Sequence, residues 1–90
     1  MKILVTGCAG FIGFHTCLNF LKKKQNIYGV DNINSYYDRK LKKSRLKILN
    51  DYKKFKFAKL DISNFQRLKK IFKLYKPNIV IHLAAQAGVR

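Results

Sequence analysis

The chain is 90 residues long, room for one small core and not for two, since domains commonly run to about 100–150 residues. Hydrophobic residues at 48% and aromatics at 13% exclude intrinsic disorder, and no apolar run approaches the roughly 18 residues that span a bilayer. Twenty Lys and Arg against four Asp and Glu give a net charge of +16, which invites anionic partners without specifying a site.

Most of that charge is lysine, strewn along the chain at Lys22-Lys23-Lys24, Lys40, Lys42-Lys43, Lys53-Lys54 and Lys69-Lys70. Recognition of bases and phosphates favours the bidentate fork of arginine, so the lysines are expected to be a solvated surface and not a nucleic-acid interface. Cys8 and Cys17 stand in no metal-type spacing, and two cysteines make no disulfide framework. With no apolar leader after a basic start, a cytoplasmic chain without a membrane partner is expected.

Lys2 to Thr6 is a short apolar run stopped by Gly7, the form of a buried first strand. Phe14, Cys17, Leu18 and Leu21 recur at i, i+3, i+4 and i+7, which predicts a helix over about 11–24 with lysines at its negative end. Ile27 to Val30 reads as a second strand ending at Asp31-Asn32. After a polar loop, Leu41, Ile48, Leu49 and Tyr52 mark a second helix that Asp38 can cap. Phe55 to Leu60 alternates with period two as a third strand. Ser63-Asn-Phe-Gln66 matches a capping box, and Leu68, Ile71, Phe72 and Tyr75 then repeat at helical spacing. Pro77 ends that helix, and Ile79 to Leu83 is a fourth strand whose β-branched run suits cover on both faces.

The order β-α-β-α-β-α-β, without hairpin signals, specifies an α/β fold: the N-terminal half of a Rossmann-type doubly wound parallel sheet. The chain stops soon after the fourth strand, with no helix to cover it. Residues 1–90 are therefore expected to be a partial dinucleotide-binding domain at the start of a longer protein.

Gly7-Cys-Ala-Gly10-Phe-Ile-Gly13 lies between the first strand and the first helix, where backbone amides and a helix N-terminus can hold a pyrophosphate. Gly7 permits the tight turn, Gly10 removes a side chain where phosphates approach, and Gly13 lets the helix pack close. Phe11 and Ile12 open the helix at that spot. Asp31 follows the second strand, where a carboxylate can accept both hydroxyls of an adenosine ribose and repel a 2′-phosphate. No Lys or Arg follows it until Arg39, so NAD is favoured over NADP. Asp61 ends the third strand in the same way and, with Ile62, is placed to edge an adenine pocket. At the end of the fourth strand, His82, Leu83, Ala84, Ala85 and Gln86 should lie near the cofactor. His82 reads as a strand histidine bonded to backbone, Cys8 and Cys17 as packing residues, and Tyr36 and Tyr37 as either ligand contacts or sheet-edge packing.

Thr6-Gly7-x-x-Gly10-x-x-Gly13, Asp31-Asn32, Asp61-Ile62 and His82-Leu-Ala-Ala85 together resemble the NAD-dependent epimerase/dehydratase family of extended short-chain dehydrogenases/reductases. Asp31-Asn-Ile-Asn-Ser-Tyr-Tyr-Asp38, Leu41-Lys-Lys-Ser-Arg-Leu46 and Ala84-Ala-Gln-Ala-Gly-Val-Arg90 are most similar to its branch acting on UDP-glucuronate. The resemblance implies NAD as cofactor, a nucleotide-sugar substrate, an isomerase that oxidises and re-reduces C4, and a homodimeric parent enzyme. It also implies a Tyr-x-x-x-Lys pair beyond these residues. Tyr36 has Lys40 four positions on, but in the loop after the second strand, so no catalytic residue is assigned. Arg90 is either a contact to an anionic part of the substrate or a surface arginine. Another nucleotide-sugar epimerase or dehydratase, a stand-alone nucleotide-binding module and a lysine-faced nucleic-acid binder are the rival readings.

Overall fold

A computed structural model describes residues 1–33 and 39–84. It contains β1 (Lys2–Thr6), α1 (Phe11–Lys22), β2 (Asn26–Asp31), α2 (Arg39–Leu49), β3 (Phe55–Lys59), α3 (Phe65–Tyr75) and β4 (Ile79–His82). The strands form one sheet in the order β3-β2-β1-β4, with every neighbouring pair parallel. The chain winds outward from β1 to β3 and then returns to β4 on the other side of β1. That reversal lies between β1 and β4, the place where ligands enter sheets of this kind.

Alternation along the strands divides the core between two faces. Ile3, Val5 and Ile27 face α1 and α2 in a cluster with Phe14, Cys17, Leu21, Leu46, Leu49 and Phe55. On the other face Leu4, Val30 and Leu60 pack with Tyr28 and with Leu68 and Ile71 of α3. Among the described residues no helix is long and apolar enough to cross a membrane.

Several expectations are corrected in detail. Helix α1 stops at Lys22, and Lys24 takes a left-handed φ of 64° as its amide donates to Leu21 O at 2.9 Å. In α2 the buried residues are Leu46 and Leu49, whereas Leu41 and Ile48 are exposed. The inward stripe is therefore Lys42, Arg45, Leu46 and Leu49, polar in its first half and apolar in its second. The capping box does not form: Asn64 Oδ1 accepts Arg67 N at 3.3 Å, while Ser63 donates to Asp61. Helix α3 has no buried residue and ends at Lys76, left-handed at φ 52°, because Pro77 cannot continue it. β4 is an edge strand paired with β1 alone, and Ile79 and Val80 are 40% and 44% exposed. Among the described residues the expected cover on both faces of β4 is not found, since α3 packs on Leu4, Val30 and Leu60.

Candidate functional site

The turn after β1 is drawn down onto the ends of β2 and β4. Gly7 has φ +73°, and a Cβ there would come 2.8 Å from Ala84 N and 2.9 Å from the Leu83 carbonyl carbon, so only glycine fits. Gly7 N and Cys8 N both donate to Val30 O, at 2.7 and 3.2 Å, and Gly10 N donates to Gly7 O at 3.1 Å. Gly13 is constrained by the turn itself: its Cβ would meet Gly7 O at 1.9 Å, so the close approach it permits is to the glycine turn, where the sequence suggested an approach to the strand.

Gly10 is different. A Cβ there would find only Gly7 O, at 3.4 Å, and Gly10 caps α1 without any side-chain hydrogen bond. There is no acidic residue in the first turn of α1 to offset the positive end of the helix dipole. Gly7 to Gly10 spend their amides within the protein, so the donors left for an anion are those of Phe11, Ile12 and Gly13. Helix geometry gives these three no intrahelical acceptor, and none lies among the described residues. The side chains of Phe11 and Ile12 are exposed around this open end.

Asp31 ends β2 with its side chain almost wholly buried and is held by three donors. Ala9 N donates to Oδ2 at 3.0 Å, Ile33 N to Oδ1 at 2.8 Å, and Lys42 Nζ to Oδ1 at 3.1 Å. Oδ2 accepts one N–H and retains capacity for a ribose hydroxyl. Asn32 follows, half-buried. Lys42 was missed in sequence, where the search for a cation stopped at Arg39. Arg45, one helical turn on, donates from Nη1 to Ala9 O at 3.1 Å and lies 5.8 Å from the centroid of the Phe11 ring. The inward cations of α2 thus grip both the acid and the loop. The signal that finds them is the i, i+3, i+4, i+7 stripe carried on to Leu46 and Leu49.

At the end of β4, Thr6 Oγ1 accepts Leu83 N at 3.0 Å and Ala84 N at 3.2 Å, and it lies 2.7 Å from His82 Nδ1. With both lone pairs engaged, the hydroxyl donates to Nδ1, which keeps the ring proton on Nε2. His82 is therefore tied to a side chain and not to backbone, and it is exposed. Thr6, quoted from sequence only as the start of the glycine motif, is a third residue whose role was missed there. Leu83 and Ala84 lie against Gly7; Ala85, Gln86 and Arg90 lie outside the described residues, as do Asp38, Tyr36 and Tyr37.

Asp61 and Ile62 follow β3. The Asp61 carboxylate is exposed and accepts Ser63 N and Ser63 Oγ, both at 2.9 Å, and these bonds, the amide first, hold its pKa below the ordinary aspartate range. Cys8 and Cys17 are fully buried. Burial pushes the Cys17 thiol up to about 12 and the Cys8 thiol higher still, with Cys17 and Asp31 adding to the effect at Cys8, so both are neutral packing groups. Tyr52 and Lys56 also stand four residues apart, but Lys56 is in β3 and Tyr52 precedes it, so they share no helix face. A groove of about 400 Å³ lined by Lys2, Tyr28, Lys56, Lys70 and Tyr75 opens at the start of the strands, away from the glycine turn, and carries neither the acid nor the free amides.

A family model for GDP-mannose 4,6-dehydratase matches residues 4–90. The chain belongs to that family. It is 53% identical over 87 residues to the UDP-glucuronate 4-epimerase of Thermodesulfobacterium geofontis, covering 97% of this chain and 27% of that protein. Protein CapI of Staphylococcus aureus is 47% identical over 90 residues, with 100% and 27% covered. Among solved structures, UDP-glucuronic acid 4-epimerase from Bacillus cereus, in complex with UDP-glucuronic acid and NAD, superposes with a TM-score of 0.85 at 40% identity, over 100% of this chain and 28% of that one. The Rossmann-like architecture and the epimerase resemblance expected from sequence both stand, and the chain spans about a quarter of the length of these relatives.

Proposed function

We propose that the chain is the NAD-binding portion of a UDP-glucuronate 4-epimerase, which interconverts UDP-glucuronate and UDP-galacturonate. The observation that carries this reading is the open N-terminus of α1 at Gly10, with unpaired amides and no compensating acid, beside a buried carboxylate at the end of β2. That is a donor array for a diphosphate next to an acceptor for a ribose.

The amides of Phe11, Ile12 and Gly13 hold the diphosphate, and Gly7 and Gly10 clear its approach. Asp31, with Asn32, takes the adenosine ribose, and its charge disfavours the 2′-phosphate of NADP. Lys42 offsets part of that repulsion and fixes the carboxylate in place. Asp61 and Ile62 would edge the adenine, and Leu83, Ala84 and Ala85 would lie near the dinucleotide. Bound there, NAD supplies reversible hydride exchange with C4 of the sugar. Proton transfer at the C4 hydroxyl belongs to the family's Tyr-x-x-x-Lys pair, which we assign to no residue of this chain. Arg90 engages an anionic part of the substrate, the diphosphate or the sugar carboxylate, for which a guanidinium fork is suited.

The substrate assignment is supported by the similarity to UDP-glucuronate 4-epimerases at 53% and to a structure solved with UDP-glucuronic acid and NAD. We further infer a cytoplasmic homodimer in carbohydrate metabolism, with no nucleic-acid or membrane partner. The intact protein, assayed with UDP-glucuronate, UDP-glucose and UDP-N-acetylglucosamine side by side, is expected to turn over UDP-glucuronate best. A clear preference for either neutral sugar overturns the substrate assignment, and a failure to bind NAD overturns the site.

A further inference from the structure

The underside of the glycine turn is as closely fitted as its ligand side is open. Cys8 points away from the open amides and into the cluster shared by Cys17 and Phe55, fully buried. Beneath it lies Gly29, in the middle of β2 and in register with Val5. A Cβ on Gly29 would come 2.6 Å from Cys8 Sγ, 2.9 Å from Cys8 Cβ and 2.9 Å from Phe55 Cε1.

A glycine in a strand interior weakens the strand and marks a close approach. Gly29 has no positive φ, the only such glycine being Gly7 among the described residues, so room and not backbone conformation accounts for it. The room is filled by two side chains, Phe55 of β3 and Cys8, and of these Cys8 belongs to the turn and comes nearest. The same residue is tied from above, because Cys8 N and Gly7 N donate to Val30 O, one position beyond Gly29.

We infer that Cys8 and Gly29 form a knob and socket that sets the height of the glycine turn over the sheet, and with it the placing of the Phe11 and Ile12 amides. Cys8 is a positioning residue whose contribution is its volume. Its thiol is neutral and enclosed, so nucleophilic chemistry is not its role. Overfilling the socket from either side lifts the turn. Refitting both sides lowers it again.

This inference rests on the reading of the turn as the NAD site, and the test separates the two. In the intact protein, NAD affinity is measured by calorimetry beside Tm. Gly29→Ala is expected to weaken NAD binding about tenfold, the scale of an overpacked methyl group. Cys8→Gly in the Gly29→Ala background is expected to recover part of that loss, because the nearer of the two side chains that meet the new methyl is gone while Phe55 remains. If the pair matters only for global stability, Tm falls in Gly29→Ala and recovers in the double variant while NAD affinity stays unchanged throughout, which overturns the inference.

Should Gly29→Ala fail to fold, Cys8→Val puts the same question from the turn side and is expected to weaken NAD binding with Gly29 in place. Unchanged affinity in the variants that fold also overturns it. A second readout needs no NAD: in a Cys17→Ala background, Gly29→Ala is expected to open Cys8 to a thiol reagent in the folded protein. If wild type fails to bind NAD but this labelling appears, the functional reading falls and the knob and socket stands. If wild type binds NAD and Cys8 stays protected in Gly29→Ala, the reverse holds.

Discussion

The two faces of the sheet are filled unequally. Under α1 and α2, side chains from three strands and two helices close into a cluster whose central members are fully buried, among them Ile3, Val5, Cys17, Ile27 and Leu49. Under α3 the buried set shrinks to Leu4, Val30 and Leu60, while Phe65, Phe72 and Leu74 of α3 and Val80 of β4 stay exposed. The glycine turn, Asp31 and the inward cations of α2 all rest on the first face. Residues that must hold amides and a carboxylate in fixed places are thus carried by the better-packed half, where local opening costs most.

The sharpest way to break that comparison is to truncate one leucine on each side. Leu49 is fully buried in the α1/α2 cluster and Leu74 is 83% exposed on α3. Leu49→Ala is expected to cost about 3 kcal/mol, within the range for buried leucines, and Leu74→Ala about 0.5 kcal/mol or less. Urea unfolding of the intact protein followed by circular dichroism measures both. Comparable losses at the two positions would mean that the α3 face is covered in the intact protein to the same degree as the other.

The same contrast decides what could be read without a structure. Elements on the packed face announce themselves: the apolar run into Gly7, the Phe14, Cys17 and Leu21 stripe, and Asp31 at the close of β2 are each dictated by period and turn chemistry over a few residues. Lys42 and Arg45 were missed because α2 was anchored on Leu41 and Ile48, which stay out; they become legible only when the stripe is anchored on Leu46 and Leu49, whose burial fixes the rotation of the helix. Thr6 escaped because its partners, His82, Leu83 and Ala84, are brought to it only by the pairing of β1 with β4 across most of the chain. The Ser63 box failed for a local reason. Asp61 already engages the Ser63 amide and hydroxyl, which leaves Asn64 to cap α3. Cover on both faces of β4 was inferred from composition, and composition cannot say which neighbour supplies the cover.

A second test bears on the site carried by the packed face. Asp31→Ala removes the acceptor offered to a ribose, so NAD affinity is expected to fall by about 1–3 kcal/mol, the scale of hydrogen bonds to a charged group. NADP affinity should fall less, or rise, since the charge that repels a 2′-phosphate goes with it, and Lys42 is left without its carboxylate partner. Calorimetry with the two cofactors gives the ratio directly. Equal losses for NAD and NADP would remove Asp31 from the discrimination, and wild-type protein that binds both equally would remove the NAD assignment itself.

The smallest effect belongs to the thinner face, at the turn between β3 and α3. The Asp61 carboxylate is stabilised in its charged form by the Ser63 amide first and the Ser63 hydroxyl second, so its folded pKa lies below its unfolded value. A depressed carboxylate contributes stability that is present above the unfolded pKa and is lost as pH falls through the folded one. Because Asp61 is fully exposed, water screens that contribution, and the readout should be the titration itself. Ser63→Ala removes the hydroxyl and leaves the amide. The Asp61 midpoint, followed by carbon-detected NMR, is expected to move up toward the ordinary range without reaching it, and the stability lost on acidification through that window should become slightly smaller, because the carboxylate carries less of it. An unmoved midpoint would show that the hydroxyl bond does not persist in solution, and that the start of α3 is held by Asn64 and the Ser63 amide alone.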